Sequence, residues 1–293
     1  MFLLRSVLKV LLIDANGCVR ARLLQVLVED GHKVVALVRS VHRLQIPFHL
    51  KHAVDVIEAD LLDLDSLSRI LADIDAAYYL VHSMDNQASG FSELETCCAK
   101  NFIKTISKTA AEQIIYLSGL SRESHQSEHM NSRKRVGGIL KKGEISVTTL
   151  LAGIVIGSRS ASFEIIRDLV GKLPVMIVPR WVCSKCQPIA IADALYYLKN
   201  VLLHQLCLGK AFEIGGPDLL TYKEMILQFA KVRNLRRWII PILFLTPHLS
   251  RLWLFFITST NLALARALVN SLKLDAVCHE NSITQIFSRN CMH

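Results

Sequence analysis

A carboxylate, a glycine and a guanidinium recur at intervals of three where a first apolar run meets a helical one. They are Asp14, Gly17 and Arg20, in the segment Asp14-Ala15-Asn16-Gly17-Cys18-Val19-Arg20. A tight strand-to-helix turn can bring the backbone N–H groups of a helix N-terminus against a phosphate. Glycine suits such a turn because it carries no Cβ to block the approach, and Asn16 tolerates left-handed backbone. Asp14 repels an anion, and Arg20 can offset that charge. On these residues alone, an ordinary strand-to-helix turn is the stronger reading. Arg39 and Ser40 follow a second apolar run. An acidic residue there would take ribose hydroxyls, whereas Arg suits a phosphate carried on the ribose; the alternative is a surface arginine at a strand end. Asp60 and Leu61 follow a third run, at a place for the edge of a base or for a helix-capping turn. Ser118 closes the run Gln113–Ser118, where its hydroxyl would face a ligand.

Cys183 and Cys186 form a lone C-x-x-C. A zinc site needs two further ligands at suitable spacing. A redox pair of this type opens a helix, and this one precedes an extended segment, so neither role is expected. The eight cysteines are scattered. The segment Met1–Ile13 is apolar but broken by Arg5 and Lys9, and reads as a first strand rather than an export signal. Reduced thiols and a cytoplasmic location are the expectation.

The elements that must position these residues alternate. Val7–Ile13 is a continuous apolar run, as for a strand buried on both faces, and His32–Val38, Val54–Ala59, Ala76–Val81, Gln113–Ser118 and Val147–Ile156 read as further strands. Between them Arg20–Asp30, Leu64–Ala72, Glu93–Ala110 and Ser132–Lys142 have helical spacing, with Asp63 as N-cap of the second. Repeated β-α-β units with short links predict an α/β, Rossmann-type, doubly wound parallel sheet with helices on both faces. Ligand then sits at the carboxyl ends of the strands, at the switch point. Residues 1–157 are expected to form this nucleotide-binding core. Residues 158–293 would complete the sheet and build a smaller C-terminal substrate lobe. In that part Phe163–Lys172, Asp193–Leu203 and Thr221–Val232 read as helices, the last with a Thr221/Glu224 capping box. Val175–Val182, Gln187–Ile191 and Ala211–Ile214 read as extended.

The 293 residues are 52% hydrophobic and 20% charged, with a mean hydropathy of +0.35. That is ample material for a core and argues against disorder. The net charge of +9 attracts polyanions, but no nucleic-acid motif or aromatic-rich basic stripe accompanies it. No stretch reaches the ~18 unbroken apolar residues of a spanning helix. Residues 238–257 come nearest, interrupted by Pro241, Pro247, His248, Ser250 and Arg251. Their mix of Trp, Phe, Leu and Arg fits a buried helix pair, or a segment lying on a bilayer in peripheral contact.

The segments Ala36–Ser40, Glu58–Asp63, Ala77–Met84, Ile115–Leu120, Gly157–Glu164 and Phe212–Asp218 together carry a family resemblance over nearly the whole chain. It resembles the atypical extended short-chain dehydrogenases/reductases, near the NmrA-like proteins and the Rossmann-type accessory subunit of respiratory complex I. The resemblance implies a dinucleotide cofactor. Arg39 favours NADP, with NAD as the alternative. Contacts are implied for Asn16, Gly17, Cys18, Val19, Arg39, Asp60, Leu61, Val81 and His82. The family's glycine motif falls on Asp14, Gly17 and Arg20, so two of its three glycines are replaced. The family's Tyr-x-x-x-Lys falls on His129 and Arg133. Ser118 stands for the serine that orients a substrate carbonyl. His129 is then the proton donor, while Arg133 binds an anion or the nicotinamide ribose but cannot shuttle protons. Two functions follow as expectations. One is an NADP-dependent oxidoreductase acting on a hydrophobic carbonyl or quinone. The other is a catalytically silent cofactor-binding sensor or assembly subunit.

Overall fold

The computed structural model describes residues 7–14, 17–81, 91–120, 128–242, 275–280, 282–288 and 291. The first half alternates strands β1 (Lys9–Ile13), β2 (Lys33–Val38), β3 (Val54–Glu58), β4 (Ala76–Tyr79), β5 (Gln113–Gly119) and β6 (Ser146–Ala152) with helices α1 (Cys18–Glu29), α2 (Phe91–Ile106) and α3 (Glu128–Leu140). Then come β7 (Val155–Ile156), α4 (Ala161–Lys172), β8 (Val175–Pro179), β9 (Lys185–Cys186), β10 (Ile189–Ala190), α5 (Ile191–Asn200), β11 (Ala211–Ile214), β12 (Leu220–Thr221), α6 (Tyr222–Val232), β13 (Trp238–Ile242) and α7 (Ser282–Ile286).

Seven strands make the central sheet in the order β11-β6-β5-β4-β1-β2-β3, and every neighbouring pair is parallel. The order reverses between β1 and β4, and that reversal opens a crevice at their carboxyl ends. Strand side chains alternate in direction, so each face receives its own apolar set. Val10, Leu12, Val34, Ala36, Tyr78 and Leu117 pack on one side with Leu23, Leu24, Leu27 and Val28 of α1 and Ala194, Leu195 and Leu198 of α5. Leu11, Ile13, Val35, Leu37, Tyr79 and Tyr116 pack on the other with Cys98, Ala99, Phe102 and Ile106 of α2 and Val136 and Leu140 of α3. Each fully buried Leu, Ile or Val side chain stabilises the fold by roughly 1.5–3 kcal/mol, which is why the strands read as continuous apolar runs.

A third core lies apart from the sheet. It joins Ile166, Leu169 and Val170 of α4, Met176 and Val178 of β8, Tyr222, Met225 and Ile226 of α6, and Ile239 of β13. The capping box that opens α6 is present: Thr221 accepts from the Glu224 N–H, and Glu224 accepts from the Thr221 N–H at 2.7 Å.

Three sequence readings change. The helix expected over Leu64–Ala72 is only a 3-10 turn at Ser66–Arg69, with no side-chain cap. Asp63 Oδ1 takes the Asp65 N–H at 3.1 Å, and Ser66 Oγ donates back to the carbonyl of Asp63 at 2.8 Å. These side chains offer the backbone a local alternative to the helix. The extended reading of Val175–Val182 ends at Pro179, where Arg180–Cys183 forms a 3-10 turn. Finally, the start of the 238–257 segment is strand, not helix. Trp238–Ile242 pairs in parallel with Val175–Pro179, and 243–257 lie outside the described residues. Among the described residues no helix is long and apolar enough to cross a membrane.

Candidate functional site

The turn after β1 keeps a glycine's backbone without the glycine. Asp14 sits at φ 55°, in the left-handed region that costs an ordinary residue roughly 1–2 kcal/mol but that Asp and Asn visit. The sequence reading gave left-handed tolerance to Asn16, which lies outside the described residues, as does His82. The Asp14 N–H donates to the Leu37 carbonyl at 2.8 Å, fixing the turn against β2. Gly17 caps α1 in extended conformation, without a side-chain cap, so the first N–H groups of α1 are left for a ligand or solvent.

Arg20 folds back over this helix start. A Cβ added to Gly17 would lie 2.3 Å from both Arg20 Nε and Nη2, so only glycine admits the guanidinium here. Arg20 Nη1 donates to the Leu80 carbonyl at 2.7 Å and lies 3.0 Å from Asp14 Oδ2. The two residues that replace the glycines are therefore an ion pair. It spans the switch point, from the end of β1 to the end of β4. Burial lowers the Arg20 pKa, Asp14 opposes that shift, and the charge of Arg39 adds to it.

The other predicted cofactor contacts line the same edge. Arg39 follows β2, is exposed, and makes no ion pair among the described residues. Asp60 follows β3, and its Oδ1 accepts the Leu62 N–H at 2.9 Å. Leu61 is buried, and its carbonyl accepts from Asn101 of α2 at 2.9 Å. Burial pushes the Cys98 thiol up to about 12; Asp60 adds to the shift and Arg39 opposes it. Asp60, Arg39 and Cys98 thus share one electrostatic neighbourhood. Val19 packs, half-buried, on the first core, and Val81, just past β4, packs on the second. Cys18 donates to the Ser158 carbonyl at 3.1 Å, and Arg22 reaches Ser158 Oγ at 2.7 Å. These bonds tie the mouth of α1 to the loop after β7.

At the end of β5, Ser118 is 6% exposed. Two residues earlier on the strand, the Tyr116 hydroxyl donates to the Arg133 carbonyl at 3.0 Å. Gly119 follows, and a Cβ there would meet Met130 Cε at 2.9 Å and Arg133 Nη1 at 3.0 Å. The guanidinium of Arg133 therefore lies against the backbone next to Ser118, and the structure brings these two predicted residues together. His129 stands on the first turn of α3, four positions before Arg133. Burial lowers the Arg133 pKa, opposed by Tyr116 and Glu95.

Glu95 was not legible as a site residue. It is 5% exposed on α2, and its Oε2 accepts a short hydrogen bond from Ser132 Oγ. Its signal lay in the helical spacing: Glu95, Cys98, Ala99, Phe102 and Ile106 fall on one stripe, where a carboxylate among apolar residues marks a buried partner for a cation.

Cys183 is exposed, while Cys186 is buried on β9 with its thiol pushed up to about 12. A thiol held protonated is a poor metal ligand or nucleophile. Replacing both with Ser is expected to leave dinucleotide titrations unchanged; stoichiometric zinc in purified protein would contradict this.

Fold and edge together define an α/β protein of the doubly wound, Rossmann-like class. Residues 15–144 match the model of the NAD(P)H-binding family. No curated protein matches the chain in sequence. Among solved structures it is similar to a nucleoside-diphosphate-sugar epimerase from Staphylococcus aureus (TM-score 0.79, 12% identity, 98% of each chain covered). It is also similar to the NADPH-dependent quinone oxidoreductase of Escherichia coli, complexed with NADPH (0.76, 16% identity, 97% of this chain and 96% of that one). A third is the triphenylmethane reductase of a Citrobacter species, complexed with NADP(H) (0.77, 13%, 96% and 95%).

Proposed function

We propose that the chain binds a dinucleotide, NADP(H) in preference to NAD(H), along the carboxyl edge of the sheet, and reduces a hydrophobic carbonyl or quinone with it. The observation that carries this reading is Arg39: an exposed guanidinium just past β2, where a 2′-phosphate would lie. The donor set fits an anionic ligand. Two arginines and a helix N-terminus stand along this edge, with the carboxylates of Asp14 and Asp60 beside them. Asn16, Gly17, Cys18 and Val19 would meet the diphosphate, Asp60 and Leu61 the adenine, and Val81 and His82 the nicotinamide side. When bound, the cofactor supplies a hydride. Ser118 orients the substrate carbonyl, His129 delivers the proton, and Arg133 holds the nicotinamide ribose or an anion of the substrate. Residues 158–293 supply the substrate lobe. A bilayer contact through 238–257 suits a hydrophobic substrate; Trp238 is 72% and Ile240 50% exposed.

Arg39→Ala is expected to abolish most of a preference for NADPH over NADH in fluorescence titrations. Equal affinity for both cofactors in the parent protein would remove the NADP reading. NADPH consumption is then tested with ketones, enals and quinones.

A second reading has its own support. The Asp14–Arg20 pair spans the crevice, and the family's Tyr and Lys are replaced. A silent sensor or assembly subunit, akin to the accessory subunit of respiratory complex I, would keep NADPH binding and lack turnover on every substrate tried.

A further inference from the structure

We propose that Arg20, rather than a glycine-lined backbone, is the diphosphate ligand of this crevice, and that Asp14 is an internal anion which the diphosphate displaces. The inference rests on the dinucleotide reading above, and names how that ligand is held.

A guanidinium offers five N–H donors in a rigid fork. The Arg20 contacts to Leu80 and Asp14 both run through Nη1. Nε is buried without an acceptor, and among the described residues Nη2 has none either. These two nitrogens form the edge of the fork that matches paired phosphate or carboxylate oxygens. They also lie directly over Gly17, at the start of a 12-residue helix whose N-cap supplies no side-chain acceptor. A cation at a helix N-terminus opposes the macrodipole, and the arrangement becomes favourable when an anion joins it. Asp14 supplies a single carboxylate to that need, and Arg39 adds further positive potential.

The geometry suits exchange. The Asp14 side chain is 23% exposed against 13% for Arg20, so the carboxylate can turn to solvent while the guanidinium stays anchored on the Leu80 carbonyl. A diphosphate would then take the place of Asp14 on the guanidinium, give the buried, unpaired Nε an acceptor, and meet the N–H groups of α1. Asp14 keeps the crevice ordered in the absence of ligand and competes with ligand for Arg20.

The test uses the full chain, with NADPH titrated by fluorescence and inorganic pyrophosphate by thermal shift, in the parent, Arg20→Gly, Arg20→Lys and Asp14→Asn. Asn keeps the tolerance of left-handed backbone and removes the charge. Arg20→Gly is expected to weaken both ligands by about 10- to 100-fold, the loss of a charge-assisted hydrogen-bonded contact. Arg20→Lys should recover part of that affinity as a point charge without the fork. Asp14→Asn should tighten both by roughly 3- to 10-fold. If Arg20→Gly tightens NADPH, or leaves it unchanged, Arg20 is a plug or a bystander and the proposal is overturned while the dinucleotide reading stands. If pyrophosphate binds through Arg20 but NADPH binds to none of the four proteins, the ligand assignment holds and the dinucleotide reading fails. If Arg20→Gly does not fold, weakening by Arg20→Lys together with tightening by Asp14→Asn supports the proposal, and the opposite signs overturn it. Failure of both ligands on all folded proteins overturns both.

Discussion

Turnover by a His129→Ala protein is expected to fall ~10²–10⁴-fold, the usual loss for a general acid, while NADPH still binds. His129 stands one helical turn before Arg133 on α3. The Arg133 guanidinium lies against Gly119, beside Ser118, so this turn of α3 adjoins the end of β5. An imidazole donates a proton only in its charged form, so a rate that depends on His129 should fall as that charge is lost with rising pH, and His129→Gln should lose that dependence with the activity. Tyr116 is a poor substitute. Its hydroxyl is buried, already donates to the Arg133 carbonyl, and has its pKa raised by desolvation. Unchanged turnover in His129→Ala would mean that the proton comes from water or another group, and the catalytic assignment would fall. Loss of NADPH binding with the activity would instead make His129 a residue of the binding site.

Apolar periodicity made the sheet legible, because strands buried on both faces are near-continuous apolar runs, as β1, β2 and β4 are, while β3 at the sheet edge, Val54-Asp55-Val56-Ile57-Glu58, is not. The ends of those strands then pointed to the edge where Arg39, Asp60 and Ser118 stand. Contacts between elements were not legible. Asp14 and Arg20 were visible as replacements for glycine, but their bridge to Leu80 exists only because β4 lies beside β1. Glu95 went unread because a charge on an amphipathic helix is by default assigned to its wet face. The 238–257 segment misled through composition: a run rich in Trp, Ile and Leu does not distinguish strand from helix, and its partner strand β8 is remote in sequence. The Leu64–Ala72 segment misled in the opposite way. Its periodicity was helical, but Asp and Ser side chains took the backbone bonds. The expected alignment of His129 and Arg133 with a proton donor and its partner came from the family resemblance alone, and no pattern in the residues carries it.

Gln113→Ala is expected to destabilise the protein by about 3–5 kcal/mol, through orphaned buried polar groups and a cavity. Gln113 opens β5 and is fully buried. Its Nε2 donates to Thr148 Oγ1 at 2.7 Å and to the Val201 carbonyl at 3.0 Å, and its Oε1 accepts the Leu203 N–H. Thr148 Oγ1 passes the chain on to the Cys207 carbonyl at 2.7 Å. One side chain thus joins β5, β6 and the turn that leaves α5, where Leu203 holds a left-handed φ of 48°. Without it the Leu203 N–H is buried and unpaired, and the Val201 carbonyl keeps only the His204 N–H at 3.2 Å. For a chain of this size the melting temperature should drop on the order of 10 °C. Gln113→Met separates the two contributions: it refills the volume but restores no hydrogen bond, so it should recover only the cavity part. Ser118 is on the same strand but at its opposite end, so the folded fraction of Gln113→Ala should still bind NADPH with parental affinity. A melting temperature unchanged in both variants would mean that water or a relaxed turn satisfies these groups, and the network would not hold β5 and β6 to the turn after α5.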